Sequence, residues 1–431
     1  MALRERENRN RKRRGGKKLQ RSFYIRMLKV FGVLLVLLVL ANFIKRDQEF
    51  SDEENRMLTQ RPKLTWESLM NGDYMTDYES YVSDQFVARN QWITLKLYQD
   101  MLLGKKESNG VYLGKDGYLI EKPDEPDWES IERNTAQIAA LAERYPDIPT
   151  YTCFVPNAYN ILSNRLPAQA PVRDQEEDLG RIRGMLGSSV RDISVDDALR
   201  EHADEEIYYR TDHHWTSLGA YYAFGTVAEA MGIQNVETDY NIHTVASDFQ
   251  GTLASKSGYH GSEDLVQIYE AANLEPEYVV TYVESNEKST SIYKSECLNE
   301  KDKYTVFFGG NHARVDIATT QPERRNLLVF KDSYANCFMQ FLLPYYQNII
   351  MVDARYFYDN VDSLIQNYAI TDILFLYNVN TFVTDNSLAD VLAVEGNGGE
   401  SPAEEGAAEE GAVEEGAAED DAAEDGAAAE G

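Results

Sequence analysis

Three apolar runs near the end of the chain constrain its architecture more tightly than any other feature: Asn326-Leu327-Leu328-Val329-Phe330, Ile349-Ile350-Met351-Val352-Asp353 and Thr371-Asp372-Ile373-Leu374-Phe375-Leu376. None alternates strictly between apolar and polar residues, so each predicts a strand covered on both faces. One helix fits between each pair, the first running to about Leu343 and the second from Asn360 to Tyr368. Strands joined by single helices lie parallel, and a parallel sheet needs helices on both sides. The same alternation begins upstream. Asp127 can cap a helix reaching about Tyr145, and Thr150 to Val155 is another buried-type strand, closed by Pro156. Residues 170 to 207 add a helical stretch and the short Ile193-Ser194-Val195. The expectation is an α/β chain with a three-layer α/β/α core and a mostly parallel sheet. Ligands of such sheets bind beyond the carboxyl ends of the strands, where the residues after Phe330 must lie.

The two ends of the chain read differently. Residues 1–26 are a basic segment leading into an apolar run at 27–44, and residues 1–44 carry twelve Lys and Arg against two Glu. The uncharged part, 30–44, spans about 22 Å as a helix, short of a hydrocarbon core of ~30 Å. Lys29 and Lys45 can snorkel to close that gap. A cleaved signal peptide is the competing reading, with Val39-Leu40-Ala41 as its cleavage site, but the long basic leader favours an uncleaved anchor. The positive-inside asymmetry puts residue 45 onward outside the cytoplasm. Residues 395–431 hold fourteen acids and no base in Glu-Glu-Gly-Ala-Ala variations, which predicts a disordered, low-complexity tail. With −30 on the whole chain, the part between these ends is itself acidic, which argues against nucleic acid as a partner. Three cysteines, Cys153, Cys297 and Cys337, are too few for a disulfide framework and show no metal spacing. The 28 tyrosines suit surfaces that stack on sugars, though ordinary amphipathic packing is the simpler reading of each.

Between anchor and core, residues 50–105 read as mostly helical, with apolar positions recurring at helical spacing from Trp92 to Tyr98. Val111-Tyr112-Leu113 and Tyr118-Leu119-Ile120 flank Gly114-Lys115-Asp116-Gly117, a hairpin by its Asp-Gly turn. Residues 240–305 are polar and irregular, with Gly251, Gly258 and Gly261, and read as an insertion within a domain of 48–390.

The densest chemistry is Tyr208-Tyr209-Arg210-Thr211-Asp212-His213-His214-Trp215-Thr216-Ser217. On an extended segment Asp212 and His214 point to one side, which gives a base and the carboxylate that orients it. Thr216 or Ser217 can cap a helix over Leu218 to Gly232, placing Asp212 to Trp215 in the loop before it. The blander reading is a helix cap beside a structural histidine. A third is a metal-ligand string of the kind found in the DHH phosphoesterases, but no paired Asp-x-Asp supports it. The nucleophile must come from elsewhere. Lys331-Asp332-Ser333-Tyr334-Ala335-Asn336 follows the first of the three late strands, so Ser333 sits on a strand-to-helix turn with helix-start N–H groups beside it. Most serines there are only caps, but Asp212 and His214 need what Ser333 provides.

Asp212-His213-His214-Trp215, Gly309-Gly310-Asn311-His312, Lys331-Asp332-Ser333-Tyr334 and Val352-Asp353-Ala354-Arg355-Tyr356 together resemble the DHHW family. Asp84-x-Phe86-x-x-Arg89 and Gly114-Lys115-Asp116-Gly117-Tyr118-Leu119 fit the same pattern, and the resemblance spans roughly residues 48–385. That family is similar to the alginate O-acetyltransferase group of SGNH-hydrolase-like proteins. The resemblance implies an SGNH-like α/β/α fold with Ser333 as nucleophile, His214 as base and Asp212 as its orienter. It also implies an extracytoplasmic O-acetyltransferase or carbohydrate acetylesterase acting on a polysaccharide, with a membrane-bound O-acyltransferase as acetyl donor, since acetyl-CoA is not expected outside the membrane. A non-catalytic glycan-binding subunit is the reading from another class. No cofactor and no metal are called for. Gly310, Asn311, Arg355, Trp215 and Tyr334 are the expected oxyanion or substrate-binding residues. Two departures stand out: Asp and His precede Ser, and Lys331 takes the place of a glycine.

Overall fold

A computed structural model describes residues 2–51, 56–273 and 276–393. The acidic tract expected to be disordered, 395–431, lies outside the described residues.

The chain begins with α1 (Ala2–Ile44), continuous over 43 residues. Its Gln20–Ile44 portion is 25 residues long, unburied, and apolar and long enough to cross a membrane. At about 37 Å it exceeds a ~30 Å hydrocarbon core. The helix continues through Arg26 and Lys29, so the length that 30–44 lacks is supplied by residues whose charged heads can snorkel. Three short helices follow: α2 (Trp66–Asn71), capped by Thr65, α3 (Asp73–Asp84) and α4 (Arg89–Leu102). The expected hairpin is present as β1 (Val111–Leu113) and β2 (Leu119–Glu121), paired antiparallel. Asp116 and Gly117 take φ of 56° and 78°, the left-handed conformation that an Asp-Gly turn supplies at low cost.

The alternating region starts with α5 (Trp128–Arg144), where Asp127 accepts from the N–H groups of Glu129 and Ser130. Then come β3 (Thr150–Val155), α6 (Gln175–Leu186), β4 (Val190–Asp192) and α7 (Ser217–Ala230). The short strand lies just before the expected Ile193-Ser194-Val195. Residues 240–305 depart from the expectation of irregular chain. They form the hairpin β5 (Tyr240–Phe249) and β6 (Asp264–Ala271), bridged by α8 (Thr252–Ser257), and then β7 (Tyr278–Tyr282) and β8 (Glu287–Ser289). The last third gives β9 (Arg314–Thr319), β10 (Asn326–Lys331), α9 (Tyr334–Leu342), β11 (Asn348–Val352), α10 (Val361–Asn367) and β12 (Asp372–Asn378).

One eight-stranded sheet has the order β8-β7-β9-β11-β10-β12-β3-β4. The five strands from β11 to β4 are parallel, and β9, β7 and β8 extend them antiparallel. β10 and β12 are buried at every position, as their near-continuous apolar runs suggest, whereas β9 and β7 alternate. Half-solvated antiparallel strands can be polar on one face, which is why this extension reads as irregular from sequence. Successive side chains of the parallel strands feed opposite layers. Cys153, Leu327, Val329, Leu374 and Leu376 pack with α7 and α9 on one face. Phe154, Leu328, Phe330, Ile373 and Phe375 pack with α5, α6 and α10 on the other. This is the three-layer α/β/α arrangement expected, with a mixed edge.

Candidate active site

The Asp-His segment is a folded-back loop rather than an extended strand. Tyr208 and Trp215 bridge antiparallel, and the N–H groups of Tyr209 and Thr216 donate to the carbonyls of His214 and Ile207. Asp212 and His214 therefore meet through a tight turn, in which Asp212 Oδ1 accepts from the backbone N–H of His214 at 3.0 Å. The same oxygen lies 2.6 Å from His214 Nδ1. On the far side of the ring, His214 Nε2 lies 2.7 Å from Ser333 Oγ, although 119 residues separate the two. Nδ1 thus carries the proton toward the carboxylate, and Nε2 is left to accept from the serine.

The other carboxylate oxygen is also occupied. Asp212 Oδ2 accepts from the N–H of Thr252 at 2.8 Å and from its hydroxyl at 2.9 Å. Thr252 starts α8, so the region that reads as an insertion reaches the site by holding the acid in place. Gly251 permits that approach, because a Cβ there would lie 2.3 Å from Asp212 Cβ. His213, second of the pair, turns aside with its Nδ1 2.9 Å from Thr252 Oγ1. Burial by itself would raise the Asp212 carboxyl, but the His213 and His214 rings and these hydrogen bonds hold it well below the usual carboxylate range. Burial pushes the His214 imidazole down, His213 adds to this, and Asp212 opposes it.

Ser333 sits at the carboxyl end of β10, half-buried, with helical φ and ψ of −64° and −20°. The turn is unstrained and held on all sides. Asp332, fully buried, accepts from the N–H of Tyr334 at 2.9 Å and from that of Asn378, at the end of β12, at 2.8 Å. The N–H of Ser333 itself has no acceptor among the described residues. Lys331 is buried, and its Nζ donates to Asn311 Oδ1 and Asn336 Oδ1, both at 3.0 Å, with Asp353 Oδ2 at 3.7 Å. Burial pushes its amine down to about 8. The lysine in place of glycine is thus a tie between the strand end, the Gly-Asn turn and α9.

Other expected site residues separate into two groups. Arg355 lines the cleft described below, and Asp353 grips its guanidinium with contacts of 2.8 and 2.6 Å. Gly310 and Asn311 reach the serine turn only through Lys331 and Asn336. The N–H of Gly310 donates to the Phe307 carbonyl, so it is not free for a substrate oxygen. Trp215 and Tyr334, expected at the substrate surface, are fully buried instead. Trp215 Nε1 donates to the Tyr334 carbonyl at 2.9 Å, and the Tyr334 hydroxyl donates to the His213 carbonyl. These crossed bonds tie the histidine loop to α9.

Three contributors were not legible beforehand: Thr252, Tyr304 and Asn380. Tyr304 stacks on His214 with ring centroids 3.8 Å apart. Asn380, just past β12, lines the cleft, and its side-chain Nδ2 has no partner among the described residues. The cleft measures about 1170 Å³, and His213, Thr252, Arg355, Asn380, Phe86 and Trp92 are among the residues that line it. Asp212, His213 and His214 could together bring three ligand atoms within 4.8 Å of one another. In this geometry, however, those atoms already serve Ser333, Thr252 and each other.

Ser333 and His214 thus meet at the carboxyl edge of the parallel strands of an α/β/α sandwich. Residues 150–352 match the model of the DHHW protein family. Among solved structures, a DHHW family protein from Eubacterium siraeum is similar at 25% identity and a TM-score of 0.57, covering 66% of this chain and 95% of that one. PatB1 of Bacillus cereus, solved with a sulfonyl adduct, is similar at 19% identity and a TM-score of 0.55, covering 64% of this chain and 96% of that one. No curated protein matches the chain.

Proposed function

We propose that this chain is an extracytoplasmic O-acetyltransferase that modifies a polysaccharide through an acetyl-serine intermediate. The observation that carries the reading is the 2.7 Å contact between His214 Nε2 and Ser333 Oγ, continued by the 2.6 Å contact between His214 Nδ1 and Asp212. The fold shared with PatB1, whose structure bears a sulfonyl adduct, is compatible with it. Ser333 Oγ attacks the carbonyl carbon of an acetyl ester, and its proton passes to His214 Nε2. The free Ser333 N–H, at the start of α9, faces the oxygen that gains charge. As the ester bond breaks, the leaving alkoxide takes the proton from His214. A sugar hydroxyl then gives its proton to the same nitrogen and attacks the acetyl-serine, and Ser333 leaves with the proton. Arg355 and the Asn380 amide are the groups that hold donor or sugar oxygens. The cleft suits an extended glycan better than a compact metabolite.

In this reading α1 is an uncleaved anchor, with residues 1–26 cytoplasmic and the domain from 48 to 390 outside. A membrane-bound O-acyltransferase supplies the acetyl group. The purified full chain, given an acetyl-ester donor and an oligosaccharide, transfers acetyl to sugar; release of acetate alone makes it an esterase. An arylsulfonyl fluoride labels the wild type and not Ser333→Ala. Equal labelling of the two removes Ser333 from the chemistry and leaves a glycan-binding subunit.

A further inference from the structure

The helices next to the anchor carry an exposed apolar surface, and of its residues named below only Trp92 also lines the cleft. On α4, Trp92, Leu95, Tyr98 and Leu102 are all exposed, Leu102 at 89%. Their spacing of three, three and four residues places them along one face of the helix. On α2, Trp66 is 77% exposed and Leu69 is also exposed. Soluble surfaces seldom leave such residues together in water.

The position of this surface is set by how α1 ends. Asn42 Oδ1 accepts from the N–H of Val87 at 2.8 Å, and Lys45 Nζ donates to the Gln85 carbonyl at 3.2 Å. The Gln85 side chain completes the joint, accepting from the N–H of Gln48 at 2.9 Å and donating to its carbonyl at 2.7 Å. Asn42 is two residues before the end of the apolar span, so the turn leading into α4 stands about 3 Å along the axis from Ile44. A membrane around α1 therefore has its boundary at that turn. Trp92 follows five residues after Val87, and tryptophan and tyrosine are the side chains that the lipid headgroup region favours.

We infer that α2 and α4 rest on the lipid surface beside the anchor, and that the cleft opens at that surface. Phe86 and Trp92, from the membrane-side segment, line it together with His213, Thr252 and Arg355. The glycan that reaches Ser333 is thus one held at the membrane, as a lipid-linked strand is, rather than one free in solution. This rests on the anchor and acetyl-transfer reading above.

Two of the four tryptophans make the test direct. Trp215 is buried and Trp128 lies under the Arg181 guanidinium at 3.7 Å, which leaves Trp66 and Trp92 as reporters. The full chain is reconstituted into phosphatidylcholine vesicles with bromine near the headgroup end of the acyl chains. Tryptophan emission falls relative to unbrominated vesicles, falls less in Trp66→Phe or Trp92→Phe, and not at all in the double variant. Unchanged emission in a chain that still floats with the vesicles overturns the inference, and cross-linked dimers with unchanged emission assign the face to a second copy. A sulfonyl fluoride carried on a lipid tail labels Ser333 in the same vesicles. If only a soluble sulfonyl fluoride labels it, the cleft opens away from the lipid while the acyl-transfer chemistry stands.

Discussion

Tyr304 lies flat against His214, the two rings 3.8 Å apart and 13° from parallel, and its hydroxyl donates to the Ser333 carbonyl at 2.8 Å. One side chain thus braces both the base and the backbone of the residue it serves.

Removing that brace separates packing from hydrogen bonding. Tyr304→Phe keeps the stack and loses one hydrogen bond, which costs about 1 kcal/mol of stability and leaves most activity. Tyr304→Ala frees the imidazole as well and lowers kcat by roughly 100-fold, by analogy with displaced catalytic groups. Thermal unfolding and single-turnover acetyl transfer read the two effects. Equal activity in the Phe and Ala variants would contradict the bracing role.

Asp212→Asn preserves the shape of the site but presents the wrong hydrogen-bonding pattern to His214 Nδ1. In the serine protease that the general rule is drawn from, this change costs on the order of 10⁴ in kcat. A loss of that order is expected here, with an unchanged circular dichroism spectrum. Retention of more than a tenth of the activity would show that the carboxylate does not set the tautomer.

The pH profile follows from the burial of His214. The ring acts as base only when neutral, and burial with His213 beside it favours the neutral form more than Asp212 opposes it. The acid limb of kcat/KM is therefore expected below the ordinary imidazole value of about 6.5. Between the folded and unfolded values the unfolded chain binds more protons at this site, so its contribution to stability falls as pH drops through that window. A limb at or above 6.5 would count against this account of the base.

Lys331→Met tests the residue that replaces glycine. The change leaves the buried Asn336 amide oxygen without its donor, takes one of two donors from Asn311 Oδ1, and leaves Asp353 with Arg355 alone. A loss of about 2–4 kcal/mol is expected, seen as a lower midpoint in urea. A variant as stable as the wild type would mean that the tie is dispensable.

Asn380→Ala removes an amide donor that no described residue uses, while its backbone bonds remain. KM for the sugar or the donor should rise about tenfold at unchanged stability, the effect of one lost hydrogen bond in a site. If KM is unaltered, Asn380 does not touch the substrate.

Much of this was readable along the chain because it is local. The near-continuous apolar runs at 326–330 and 371–376 read as covered strands, and the Asp-Gly turn at 116–117 reads as a hairpin. The 240–305 region misled because its strands are solvated on one face and so lack the apolar run. Trp215 and Tyr334 misled for the opposite reason, since aromatic residues beside a reactive group suit a ligand surface and a core equally well.

By itself the order of residues determined the parallel sheet, the turn that exposes Ser333, and the anchor-like start, since periodicity and turn chemistry act over a few residues. Only the packed chain decided that Asp212 and His214 meet through a turn rather than a strand, that Thr252 and Tyr304 complete the site, and that Lys331 is a buried tie. Apart from the Asp212–His214 turn itself, most of those contacts join residues 20 to 40 positions apart or more. They exist because the two helical layers and the β5–β6 hairpin close on one edge of the sheet, which no local pattern encodes.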